Sequence, residues 1–373
     1  MPSKKIATSL PETSNVRPSP TGMSPTRATG VKAMSSLCGS SVVMPVSCTI
    51  VHMDSNPLSQ PAGCMRLLVL DVDGTLQNSR HEISAATCRA VARVQAAGIR
   101  VMLATGRRYR DVLPVALQLG IDTPLVTASG ALVKQPLDHA TLFCAQFAPG
   151  VLVDVLKMIV ARGREPILYT DSFAAGFDFH CRRPLQAGSH AVSQAGMADG
   201  DDNGIGPGLS DYLKRNQALA CAAPLVEQFP PSGVFAGFTM GTQSQMRALE
   251  ESLRTTWPSQ LSVHTIRSPR YREWMCEIAP AGVTKWAGIL HVAHEWGIEP
   301  AQICAAGDDV NDLPMIRGAG LGIAMGNAQT DVLAAADLIV HSHDEDGIVE
   351  IADLLLAGLS YPAPLAGTDR LNQ

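Results

Sequence analysis

Leu67-Leu68-Val69-Leu70-Asp71-Val72-Asp73-Gly74-Thr75-Leu76 is the stretch from which the rest of the chain is read. Four apolar residues run into two carboxylates one residue apart, then a glycine and a hydroxyl. A continuous apolar run, rather than an alternating one, marks a parallel strand covered on both faces. Two acids at the tip of such a strand are costly unless something cationic compensates them. Gly74 lets the chain leave the strand in a tight loop whose amides can face an anion. Together these features point to a metal-assisted carboxylate nucleophile acting on phosphate.

The surrounding pattern sets the fold class. Ser84 reads as an N-cap and Gly98 as a helix terminator, with Thr87, Ala90, Val91, Val94 and Ala97 at helical spacing between them. Residues 99–104 read as a second strand, ending in Thr105-Gly106-Arg107, and a helix over about 110–119 and a strand over 124–127 follow. This alternation implies right-handed crossovers and an α/β fold with a Rossmann-like, doubly wound parallel sheet. The rhythm changes over 145–265, where short β-prone pieces and two helical patterns predict an inserted α+β domain. Within it, 186–208 is polar and Gly-rich and reads as a flexible loop. The first rhythm then resumes: Trp286, Ile289, Leu290, Ala293 and Trp296 share one helix face. Strands at 303–306, 321–325 and 338–340 and a helix over 347–356 close the sheet, assigning the core to 65–144 and 266–358 with a tail at 359–373.

Of the 373 residues, 46% are hydrophobic and 17% charged, the composition of a globular protein. The net charge of -5 offers no bulk attraction to nucleic acid or an anionic membrane, and no apolar run approaches the length of a membrane span. Nine scattered cysteines without a CxxC pair argue against a zinc site or disulfide framework and suit a reducing compartment. Residues 1–64 differ from the rest. They are rich in Ser, Thr, Pro and Gly and hold only Glu12 and Asp54 as acids. Their composition predicts disorder and resembles an organelle transit peptide, with sparse arginine favouring the chloroplast. Without targeting, the compartment would be the cytoplasm.

Open parallel sheets bind ligands beyond the carboxyl ends of their strands. Asp71, Asp73, Thr105, Asp308, Asn311 and Asp312 are all expected there. Lys285 lies at the start of its helix, whose N-terminus also favours an anion. Several carboxylates, one lysine and glycine-loop amides suit a hard divalent cation plus a phosphate. Oxygen ligands without a histidine cluster indicate Mg²⁺. Asp309 reads as a solvated loop acid, and Arg107 and Arg108 as either phosphate contacts or partners of acids.

In order, Asp71-Val72-Asp73-Gly74-Thr75-Leu76, Thr105-Gly106-Arg107, Lys285 and Gly307-Asp308-Asp309-Val310-Asn311-Asp312 resemble the four motifs of haloacid dehalogenase (HAD) superfamily phosphatases. Three further stretches, 277–285, 322–328 and 345–348, are similar to the Cof-type branch. The insertion between the Thr105 and Lys285 motifs matches that branch's C2 cap. The resemblance implies Asp71 as nucleophile and Asp73 as general acid and base. It also implies Asp71, the Asp73 carbonyl and Asp308 as Mg²⁺ ligands, and Thr105, Gly106, Lys285 and Asn311 as phosphate binders. Asp312 would orient Lys285. Where the branch carries Asn-Gly-Ala after its third strand, this chain has Ser129-Gly130-Ala131.

The resemblance implies a phosphatase of a small phosphorylated metabolite, such as a sugar phosphate or a flavin- or pyridoxal-pathway phosphate. A sugar phosphomutase shares the core and cap type, but its extended fourth motif is absent. A capped binding or regulatory protein without turnover is the non-enzyme alternative, against which the intact motifs argue. Dehalogenation would not need Asp73.

Overall fold

The computed structural model describes residues 64–182, 205–268 and 271–358. The expected leader (apart from Cys64), nearly all of the 186–208 loop and the 359–373 tail lie outside the described residues.

β1 (Leu67–Leu70) is followed by α1 (Ala85–Ala96), β2 (Arg100–Leu103), α2 (Tyr109–Gln118) and β3 (Leu125–Thr127). β4 (Leu132–Lys134) and β5 (Thr141–Cys144) then turn back antiparallel on β3. The inserted region comprises α3 (Val151–Ala161), β6 (Ile167–Thr170), β7 (Phe179–Cys181), α4 (Pro207–Arg215) and β8 (Ala220–Ala222). It continues through β9 (Val234–Gly241), α5 (Gln243–Thr256), β10 (Leu261–Arg267) and β11 (Trp274–Pro280). The core resumes with α6 (Lys285–Glu295), β12 (Ile303–Gly307), α7 (Leu313–Gly318) and β13 (Leu321–Ala324). It ends with α8 (Thr330–Ala335), β14 (Leu338–Ile339) and α9 (Gly347–Leu356).

The core sheet runs β14-β13-β12-β1-β2, all parallel. An isolated bridge between Ala104 and Val126 sets β3 beside β2. β1 is apolar throughout because both its faces are covered. Leu67 and Val69 pack with Ile289 and Val292 of α6, while Leu68 and Leu70 pack with Val91 of α1, Val112 of α2 and Ile351 of α9. Each such buried side chain contributes about 1.5–3 kcal/mol, so the strand that carries Asp71 is among the most firmly held.

The insertion forms a six-stranded sheet in the order β10-β11-β9-β6-β7-β8. α3 and α5 pack on one face through Val155, Ile159, Met246 and Leu253. α4 packs on the other through Leu209 and Tyr212, against Phe179 and Phe238. Two expected boundaries are corrected by this sheet. The limit drawn at 265 cuts β10, and β11, assigned to the core, pairs with β9 and β10. The flexible reading of 186–208 fails at its end, because Pro207 and Gly208 open α4, where proline's missing N–H costs nothing.

Arginines at the start of α2 hold the insertion against the core. Arg110 Nε donates to Asp178 Oδ1 at 2.8 Å, and Arg108 donates to Asn216 Oδ1 at 3.1 Å while lying 3.5 Å from Asp178 Oδ2.

Candidate active site

The carboxyl ends of β1, β2 and β12 meet the start of α6. Asp71 leaves β1 with its amide donating to the Ala306 carbonyl at 3.1 Å, and its side chain is buried. Lys285 opens α6 behind the N-cap Thr284, whose hydroxyl accepts from the Ala287 amide at 3.1 Å. The Lys285 Nζ donates to Asp71 Oδ1 and Asp312 Oδ1, both at 2.6 Å. The second Asp312 oxygen accepts from the amides of Asp308 and Asp309, both at 3.0 Å. Asp312 is therefore spent on fixing the lysine and its own loop.

Asp308 is held from the first loop. Thr75 Oγ1 donates to its Oδ1 at 3.1 Å, and Asn327 Nδ2 lies 3.5 Å from its Oδ2 while donating to the Gly74 carbonyl at 2.9 Å. Gly74 has φ +77°, and a Cβ there would collide with the Asp308 carboxylate. Only glycine permits both that backbone and that approach. Asp309 is more than a solvated acid: it caps its own loop, accepting from the Val310 amide at 2.6 Å and from the Gln329 side chain.

Carboxylate oxygens of Asp71, Asp308 and Asp312 lie within 4.8 Å of one another. The Asp73 carboxylate stands apart, gripped by Arg107: Nε to Oδ2 at 2.7 Å and Nη2 to Oδ1 at 2.5 Å. The same Nη2 reaches Gln77 Oε1 at 2.5 Å, so the arginine is anchored from both sides. Of the two roles open to Arg107 in the sequence, it takes that of partner to an acid.

Thr105, Gly106, Ser129 and Asn311 gather at another edge of the site. Thr105 is buried, its hydroxyl accepting from the Arg107 amide at 3.1 Å and its carbonyl from the Ser129 amide at 3.0 Å. A Cβ on Gly106 would lie 3.4 Å from Ser129 Oγ and 3.8 Å from Asn311 Nδ2. Ala128, Ser129 and Gly130 have φ of 48°, 55° and 99° in succession. Non-glycine residues in that region carry strain, and such strain clusters at functional sites. A Cβ on Gly130 would strike the Thr284 carbonyl, so this turn sits directly on the start of α6.

The charges do not balance among these residues. One ammonium faces three carboxylates, leaving a surplus of two negative charges. Burial pushes the Asp71 carboxyl up; Lys285 opposes this, and Asp312 and Asp308 add to it. Burial, then Asp312, pushes Asp308 up to about 7. Burial pulls the Lys285 ammonium down, but Asp71 and Asp312 outweigh it and hold it above the usual lysine range. A divalent hard cation fits this set: oxygen donors, two excess negative charges, and an Asp308 carboxylate that Lys285 does not reach.

Thr75, Gln77 and Asn327 support the site without having been singled out. The signals were present in the quoted stretches, a hydroxyl after Gly74 and an amide in Gly326-Asn327-Ala328, but nothing local says what they touch.

Residues 68–351 match the family model described as haloacid dehalogenase-like hydrolase. The chain is 26% identical to "Phosphatase YwpJ" of Bacillus subtilis, over 78% of this chain and 100% of that protein. It is 28% identical to the same organism's "5-amino-6-(5-phospho-D-ribitylamino)uracil phosphatase YwtE", over 79% of this chain and 99% of that one. Among solved structures, a HAD subclass IIB sugar phosphatase superposes with TM-score 0.58 at 20% identity, over 78% of this chain and 98% of that one. The chain belongs to the haloacid dehalogenase-like hydrolases.

Proposed function

We propose that this enzyme is a Mg²⁺-dependent phosphatase of small phosphorylated metabolites, working through an aspartyl-phosphate on Asp71. The observation that carries the reading is the buried Asp71 at a strand tip, 2.6 Å from Lys285 and beside a surplus of negative charge.

Asp71 Oδ attacks phosphorus as the bond from phosphorus to the leaving oxygen breaks, and Asp73, having left its pairing with Arg107 and taken a proton from solvent, gives that proton to the leaving oxygen. Asp73, now a carboxylate, takes a proton from water, which attacks the aspartyl-phosphate and releases inorganic phosphate while Asp71 regains its carboxylate. Lys285, Thr105, Gly106 and Asn311 hold the phosphoryl oxygens, with the Ser129 hydroxyl placed to add a contact. Arg107 holds the Asp73 carboxylate before substrate binds. Asp71, the Asp73 carbonyl and Asp308 would hold Mg²⁺, which when bound shields the repulsion between carboxylate and phosphate. Asp312 is not proposed as a ligand, since Lys285 and two amides already occupy its oxygens.

The substrate class is a sugar phosphate or a flavin- or pyridoxal-pathway phosphate. It is supported by one relative's naming as a ribitylaminouracil phosphatase and one neighbour's as a sugar phosphatase. The insertion over the site would exclude water and macromolecules. The composition of residues 1–64 supports a chloroplast location. Among the described residues no helix is long and apolar enough to cross a membrane.

Phosphate release from a panel of such monoesters, with Mg²⁺ or chelator, tests the reading, and Mg²⁺-dependent release is expected. A product that keeps its phosphate on another hydroxyl would indicate a mutase instead. The metal dependence should also carry a pH signature. With Asp308 raised to about 7 and Asp71 raised too, the native site holds protons that the unfolded chain has lost. Metal-free stability should therefore fall as pH rises from about 4 to about 7. Mg²⁺ must displace those protons, so it should raise the melting temperature more at about pH 8 than at about pH 5. Equal shifts at both would contradict this assignment of the ligands.

A further inference from the structure

Arg107 makes a contact that the proposed chemistry has to break. Its Nε and Nη2 grip both oxygens of Asp73, at 2.7 and 2.5 Å, yet Asp73 must turn to the leaving oxygen to act. Burial decides which partner moves. The Arg107 side chain is 13% exposed and that of Asp73 is 50% exposed. Arg107 is also held by Gln77, whose Oε1 accepts from Nη2 at 2.5 Å and which is itself buried. Its backbone is fixed at both ends. The amide donates to Thr105 Oγ1 at 3.1 Å, and the carbonyl accepts from the Ala128 amide at 2.8 Å. Arg107 therefore stays while Asp73 swings.

A guanidinium so placed is costly without its carboxylate unless another oxygen takes the fork of Nε and Nη2. Its third nitrogen, Nη1, makes no hydrogen bond among the described residues. The oxygens at hand are the substrate's. Asp73 acts on an oxygen bonded to phosphorus, so the phosphoryl group lies within a side chain's turn of the fork that Asp73 leaves. Charge points the same way. Lys285 is shared between Asp71 and Asp312, and Arg108 is turned to Asp111, Nε to Oδ2 at 2.7 Å. Arg107 is the cation whose carboxylate the reaction calls away, and a phosphate monoester brings about two negative charges. Its planar fork matches a pair of phosphoryl oxygens.

We propose that Arg107 is a substrate-binding residue that exchanges Asp73 for phosphoryl oxygens, holding the acid before substrate binds and the phosphoryl group afterwards. The proposal rests on the phosphatase reading for the position of that group. Calorimetry of inorganic phosphate binding to the full chain carrying Asp73→Asn, with Mg²⁺ present, tests it where Arg107 has no acid to hold. Adding Arg107→Met should weaken phosphate binding about tenfold or more. Arg107→Lys, which keeps the charge but not the fork, should fall between. Melting curves confirm that folded chains are compared. If Arg107 serves only to position Asp73, its loss in this background changes the affinity by less than about twofold. That result would overturn the proposal and leave the phosphatase reading standing. No phosphate binding with Arg107 intact, together with no phosphate release by the wild type from any monoester, would overturn both.

Discussion

Asp71→Asn is expected to lower the rate of phosphate release by at least about 10⁴-fold while leaving the fold intact. The amide is nearly isosteric, and its oxygen can still accept from Lys285, but it cannot form the phosphoryl bond. Lys285 keeps Asp312 at 2.6 Å, so no buried charge is left without a partner. The variant removes one of the two surplus negative charges, so its metal-free melting temperature should equal or exceed that of the wild type at neutral pH. Phosphate release and thermal melting, measured side by side, check both halves. Activity that survives would remove Asp71 from the chemistry.

Lys285→Met should be damaging in a different way. The lysine is 2% exposed and is the ammonium between Asp71 and Asp312. Removing one partner of a buried ion pair costs about 3–5 kcal/mol, because the other charge is left uncompensated. Here two carboxylates are stranded. The variant should lose at least about 10²-fold in rate, as expected when a positioned donor to the transferred group is lost. Its melting temperature should fall by about 10 °C at about pH 8. The fall should be smaller at about pH 5, because stranded carboxyls with raised pKa values take up protons there. A pH-independent loss would mean that packing of the lysine stem, and not its charge, is what matters.

What could be read in the sequence was whatever repeats locally. The apolar run before Asp71 and the spacing of Ala90, Val91 and Val94 give β1 and α1 because burial on two faces or on one stripe leaves a periodic trace. The meeting of these side chains was legible for a related reason. Strand ends in a parallel sheet converge, so acids there and a lysine at the start of a neighbouring helix come together, as Asp71, Lys285, Asp308 and Asp312 do.

Contacts between distant residues left no such trace. The grip of Arg107 on Asp73 spans 34 positions, and that of Asn327 on Gly74 spans 253. Pro207 and Gly208 at the start of α4 read as the end of a loop, whereas packing of Leu209 and Tyr212 on the sheet makes the segment a helix. The sequence of β11 reads as core because its motif runs on to Lys285, although its ladder partners are β9 and β10. Ser129 stands where asparagine is usual in the branch, and asparagine tolerates a left-handed backbone better. The strained turn is kept instead by Gly130 seated on Thr284.

The central claim is that the phosphoryl group passes through Asp71. Rapid acid quench of Asp73→Asn turning over a ³²P-labelled substrate, followed by peptide mapping, tests it most directly. With a labelled aryl phosphate, whose leaving group departs without an acid, that variant lacks only the proposed base that clears the intermediate, so label should accumulate on the peptide containing Asp71 as an acid-stable, hydroxylamine-sensitive acyl phosphate. Phosphate release without label on that peptide, or label on any other residue, would contradict it.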